Sequence, residues 1–155
     1  MDISFYELTA TSLEKMLPKL LEKAYDANQR VVVLLDSEER VHLMNATLWT
    51  YATLSFLPHG SQHDSIEDTS RNPIWLTTHL ENPNDAQVII ITTEESLLTS
   101  PTQFQRCLDI FDGNNPQSVA QAHQRYRSYQ EQGYTCVLWR QSLTGQWEKA
   151  TLPLQ

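Results

Sequence analysis

Apolar residues along this chain fall into two rhythms, short unbroken runs and stripes spaced three and four apart, and together they predict an α/β fold. Ile3 to Leu8 reads as a first strand. Leu13, Met16, Leu17, Leu20, Leu21 and Ala24 then recur at helical spacing on one face. Thr11-Ser12-Leu13-Glu14 offers a capping box for that helix, and Asn28, a residue tolerant of left-handed backbone, marks its end. Pro18 within the stripe predicts a kink. Val31-Val32-Val33-Leu34-Leu35 is apolar without alternation, as expected of a strand covered on both faces in a parallel sheet.

Asp36 or Ser37 caps a second helix with Val41, Met44 and Leu48 on one side, running to about Trp49, with Glu38 and Glu39 placed favourably at its positive end. Between Pro58 and Pro73 the chain turns polar and reads as an exposed loop. Strands follow at Ile74 to Thr77 and Gln87 to Thr92. Ser100-Pro101 then signals a helix start, and Phe104, Cys107, Leu108 and Phe111 predict a third helix stopped by Gly113. Asn115-Pro116 starts a fourth, running to Gln132 before Gly133, and Tyr134 to Trp139 closes as a strand. The expected order β-α-β-α-β-β-α-α-β means a mostly parallel sheet with helices on both faces.

At 155 residues and 40% hydrophobic content the chain suits one domain spanning 1–155. A net charge of −8 repels phosphates over most of the surface, which disfavours direct nucleic-acid binding. Cys107 and Cys136 lack metal or redox spacing and read as reduced, buried thiols. The N-terminus shows no basic stretch followed by an apolar run, and no apolar segment is long enough to span a bilayer, so a cytoplasmic protein without membrane contact is expected.

An α/β sheet invites a nucleotide, but phosphate cradles need clustered glycines. The four glycines, Gly60, Gly113, Gly133 and Gly145, lie at least a dozen residues apart, so no P-loop or GxGxxG exists and no cofactor is expected. His59, His63 and Asp64 offer nitrogen and oxygen ligands for a metal-dependent hydrolase or nuclease, against the commoner reading of a solvated loop. No nucleophile motif surrounds either cysteine, so no enzyme is expected. The fourth helix is more informative. Val119, Ala122, Tyr126 and Tyr129 form an apolar side, while His123 and Arg127 stack one turn apart and Arg125 projects elsewhere. From Val119 to Arg140 the only acid is Glu131, which makes this region suited to an anionic ligand; single-stranded DNA held by Arg125 and Arg127 is one alternative. Trp49 and Phe56 flank a short connecting segment and suit either the core or a protein-docking hot spot.

Several of these segments together resemble a family. Leu48-Trp49, Ser55-Phe56-Leu57-Pro58-His59-Gly60, Phe111-Asp112-Gly113 and Arg125-Tyr126-Arg127-Ser128-Tyr129, with Gly133 and Trp139, are similar to the chi subunit of bacterial DNA polymerase III holoenzyme. Phe5-Tyr6, Ser37-Glu38-Glu39-Arg40 and Pro73-Ile74-Trp75-Leu76-Thr77 sit in the order that family shows. The resemblance implies a Rossmann-like fold without a nucleotide site and a non-catalytic accessory subunit of the clamp-loader complex. It also implies two interfaces. One takes the acidic, phenylalanine-terminated tail of single-stranded DNA-binding protein at His123, Tyr126 and Arg127, with Phe111 and Leu138 as pocket walls. The other takes the psi subunit or a helicase at Trp49 and Phe56. His123 stands where the family usually has an arginine, and Val119 where some members have lysine, which implies tail binding that is weaker or depends on pH through His123. Residues 141–155, with Trp147, extend past the shorter members as an added strand or arm.

Overall fold

The computed structural model describes residues 2–50, 60–61, 73–93 and 104–150. Its strands are β1 (Asp2–Leu8), β2 (Val31–Leu34), β3 (Gly60–Ser61), β4 (Ile74–Thr77), β5 (Val88–Ile91), β6 (Arg106–Asp112), β7 (Thr135–Gln141) and β8 (Trp147–Ala150). The helices are α1 (Leu13–Asp26), α2 (Glu38–Thr50) and α3 (Pro116–Glu131). All eight strands join one sheet in the order β3-β4-β2-β5-β6-β1-β7-β8. Every pairing is parallel except β7 with β8.

The unbroken apolar runs are central because both of their faces are covered. Val31 and Val33 point to one layer of core and Val32 and Leu34 to the other. On the first face α1 and α2 deliver Leu17, Leu21, Val41, Met44 and Leu48. On the second, α3 delivers Ala122, Tyr126 and Tyr129 over Ile3, Phe5, Cys107, Phe111 and Leu138. Fully buried Phe5 lies beneath three rings, with centroids of Tyr126, Tyr129 and Phe111 at 5.3, 6.0 and 6.5 Å. Burying a side chain of that size contributes roughly 1.5–3 kcal/mol, so this aromatic cluster is a principal tie between α3 and the sheet.

The predicted third helix is instead β6. Cys107 and Phe111 do recur at helical spacing, but in the strand they share one face with Asp109, while Leu108 and Ile110 share the other. A run buried on both faces lacks the alternation that would distinguish it, so the helical template fitted by coincidence. Cys107 is accordingly a buried strand residue and not part of a helical stripe.

The caps divide between expectation and surprise. Asn115 caps α3 with its side-chain oxygen accepting from Gln117 N and Ser118 N, and Pro116 opens the helix as expected. Asn28 has φ 58°, the left-handed stop read from its identity, and Pro18 lies buried inside α1. At the start of α1, however, the N-cap is Ser12 and it makes no side-chain capping bond. Thr11 Oγ1 accepts from Gln141 Nε2 at 2.7 Å, and Glu14 accepts from Arg40. Gln141, at the end of β7, instead holds the loop that precedes the helix: its Oε1 accepts from the backbone N–H groups of Thr9, Ala10 and Thr11 at 3.2, 3.0 and 3.0 Å.

Candidate docking site on the third helix

Helix α3 carries the residues read from sequence as a binding face, and its seating decides which of them reach solvent. Arg125 turns inward. Its Nε and Nη2 donate to the two carboxylate oxygens of Asp109 at 2.8 and 2.9 Å, with the arginine side chain 8% exposed and the aspartate 0%. Burial pushes the Asp109 carboxyl upward, and the charge and hydrogen bonds of Arg125 oppose that shift. A bidentate, desolvated pair of this kind fixes orientation. It also takes Arg125 off the outer flank of α3 where Arg127 stands, against the reading that paired the two on single-stranded DNA, and leaves its side chain at the wall of a different cleft. Arg140, on β7, forms an ion pair with Glu7 of β1. Two members of the basic cluster counted along the sequence are thereby paired with carboxylates within the fold.

His123 and Arg127 remain together on the outer flank of α3. They line a cleft of about 450 Å³ whose other walls include Gly113, Asn114, Pro116 and Val119. Pro116 and Val119 supply apolar surface and the two basic side chains supply a polar edge. The tight turn beneath depends on Gly113, whose N–H donates to Leu8 O at 2.6 Å. A Cβ there would lie 2.6 Å from Glu7 Cγ and 2.8 Å from Leu8 O, so no other residue fits unchanged. The His123 ring stands edge-on to Phe111 with centroids 6.5 Å apart, and its Nε2 is buried without a hydrogen-bond partner. Burial, foremost, holds His123 below the ordinary histidine range; Arg140 and Arg127 push the same way and Glu7 opposes them.

The other expected residues are placed less evenly. Tyr126 is buried and its hydroxyl donates to Cys136 O at 3.1 Å, so it anchors α3 to β7. Phe111 and Leu138 lie in the core beneath α3, at 6% and 1% exposure, and neither is among the residues that line the cleft. Trp49 falls in the last turn of α2, while Phe56, His59, His63 and Asp64 lie outside the described residues. Among the described residues no group of three or more His, Cys, Asp or Glu side chains is arranged to hold a metal. No helix among them is long and apolar enough to cross a membrane.

Sequence reasoning missed a second, larger cleft of about 690 Å³ at the C-terminal ends of the strands. It opens between β1, which leads to α1 on one face, and β6, which leads to α3 on the other. This is the switch point at which doubly wound sheets receive ligands. Here the walls include Thr9, Thr11, Glu14, Asp36, Arg40 and Gln121, and Arg40 Nη1 is already 3.1 Å from Glu14. The one described glycine beside it, Gly113, serves the turn contact with Leu8 and not a phosphate cradle.

These features define a doubly wound α/β protein whose outward-facing polar cleft sits on a helix rather than in a glycine-rich loop. The fold is similar to solved structures of the C-terminal domain of the DEAD-box protein Dbp5. One, of the S. cerevisiae L327V domain bound to Gle1 H337R and IP6, has a TM-score of 0.57 at 8% identity and covers 89% of this chain and 90% of that one. A second Dbp5 C-terminal domain gives a TM-score of 0.56 at 10% identity over the same shares. Sequence narrows the assignment. Residues 1–137 match the family described as "DNA polymerase III chi subunit, HolC". The probable DNA polymerase III subunit chi of Rickettsia prowazekii (strain Madrid E) is 33% identical over 107 residues, covering 69% of this chain and 59% of that one. The chain belongs to the DNA polymerase III chi subunit family.

Proposed function

We propose that this protein is an accessory subunit of the DNA polymerase III clamp-loader complex that tethers the polymerase to protein-coated single-stranded DNA. The tether is the acidic C-terminal tail of single-stranded DNA-binding protein, docked on the outer flank of α3. The observation that carries this reading is the pairing of Arg127 and His123 with the apolar walls Pro116 and Val119 in one cleft. An acidic peptide ending in an aromatic residue requires that combination, a cation for its carboxylates and an apolar recess for its ring. Tyr126, Phe111 and Leu138 hold the helix in place. The second interface, for a psi subunit or a helicase, is assigned to Trp49 and Phe56 on family resemblance, and a cytoplasmic location follows from the same role.

Direct binding of single-stranded DNA is the less favoured reading, because Arg125 and Arg140 are already committed to Asp109 and Glu7. A titration separates the two. A peptide copying the acidic tail is expected to bind, to lose most affinity when its terminal phenylalanine is removed, and to bind Arg127→Ala about 5- to 30-fold more weakly. Indifference to both changes, or binding of bare oligonucleotide with a steep salt dependence, would contradict the proposal.

A further inference from the structure

The neutralised surroundings of His123 bear on how an anion is received in the α3 cleft. Arg125 is spent on Asp109 and Arg140 on Glu7, so two of the cations that adjoin the cleft in sequence are paired with carboxylates in the fold. His123 Nε2 is one of the few buried side-chain polar atoms among the described residues that has no hydrogen-bond partner. The groups that face this ring are Glu7 from β1, Arg140 from β7 and Arg127 from α3 itself, with the apolar edge of Phe111 contributed by β6.

We propose that a carboxylate docks in this cleft with uptake of one proton at His123. This rests on the docking reading above and adds to it the protonation state of the receiving site. In the free protein, desolvation foremost disfavours the imidazolium, with Arg140 and Arg127 adding to it against the opposing charge of Glu7. Entry of a carboxylate beside Arg127 reverses that balance: the ring turns to present Nε2 to the incoming oxygen, gains a proton from solvent and donates a charge-assisted hydrogen bond. No covalent bond changes, and the proton comes from the buffer. The sign follows from linkage. Because the complex binds one proton more than the free protein, affinity rises as pH falls through the range between the bound and free pKa values, and levels off below the free value.

The test is calorimetric titration of the full chain with the phenylalanine-terminated acidic peptide at pH 6, 7 and 8, each in two buffers of different ionisation enthalpy. The peptide's own carboxylates titrate near ~4, well below this window. Binding about three- to tenfold tighter at pH 6 than at pH 8, with a buffer-dependent enthalpy that reports proton uptake, is the expected result. His123→Gln should flatten the pH profile and abolish the uptake, and His123→Arg should flatten it while holding the tighter affinity throughout. Equal affinity at all three pH values, or a slope that persists in His123→Gln, overturns the proton linkage and leaves the docking site standing. Absence of binding at every pH overturns the docking reading and the linkage with it.

Discussion

At the scale of single residues, Arg125 shows how identity and role part company. Its position beside Tyr126 and Arg127 suggests one more surface cation. Helical geometry instead sends it about 200° around, nearly opposite Arg127, toward a strand that carries a carboxylate where the apolar run would otherwise be unbroken. The existence of α3, its cap at Asn115 and the proximity of His123 to Arg127 were all legible in the sequence. The buried partner was not, because nothing in the order of residues distinguishes Asp109 in a strand from Asp109 on the polar side of a helix. A consequence is measurable by chemical denaturation. Arg125→Met should lower stability by about 3–5 kcal/mol, since it strands a buried carboxylate. The carboxyl of Asp109, already raised by burial, rises further without its partner. A raised acid pKa costs stability as pH increases through it, so the deficit of Arg125→Met should shrink toward pH 4 and widen toward pH 7. Adding Asp109→Leu should recover much of the loss; a single variant as stable as the parent would show the pair to be incidental.

At the scale of elements, the helices α1, α2 and α3 follow from stripes at helical spacing, and the strands β2, β4 and β5 from short runs rich in β-branched residues, too short for a helix. β6 does not. Its apolar residues satisfy a helical stripe and a two-sided strand equally, and the parallel neighbours β1 and β5 decide between them. The C-terminal segment gains a role that its sequence did not suggest. β8 pairs antiparallel with β7, Trp147 stacks edge-on to Tyr6 at 5.3 Å, and Gln141 holds the loop between β1 and α1 through three backbone donors and the Thr11 hydroxyl. That loop adjoins Gly113 and the start of α3: Asn114 Nδ2 donates to Thr9 O at 2.9 Å. Gln141→Leu leaves those donors without their acceptor, and an unfolding free energy lower by about 2–4 kcal/mol is expected. Hydrogen exchange should locate the effect, with faster exchange at Thr9, Ala10 and Thr11. Unchanged protection at those amides would mean that solvent substitutes for the glutamine at no cost.

At the scale of the whole molecule, an acidic protein of net charge −8 is proposed to receive an acidic peptide, and the fold explains how both hold. Arg125 and Arg140 are paired with Asp109 and Glu7, and Arg127 and His123 line the polar edge of the cleft. Attraction is therefore local, and with so few cations the salt dependence of docking should be shallow beside that of a nucleic-acid binder. The most direct measurement is a map of amide chemical shifts during titration with the phenylalanine-terminated peptide. Perturbations are expected to concentrate at Gly113, Asn114, Val119, Ala120, His123 and Arg127, and to be absent with a peptide that lacks the terminal phenylalanine. Perturbations concentrated instead around the cleft of Thr9, Glu14 and Arg40, or along α2, would place the tail elsewhere and contradict docking on α3.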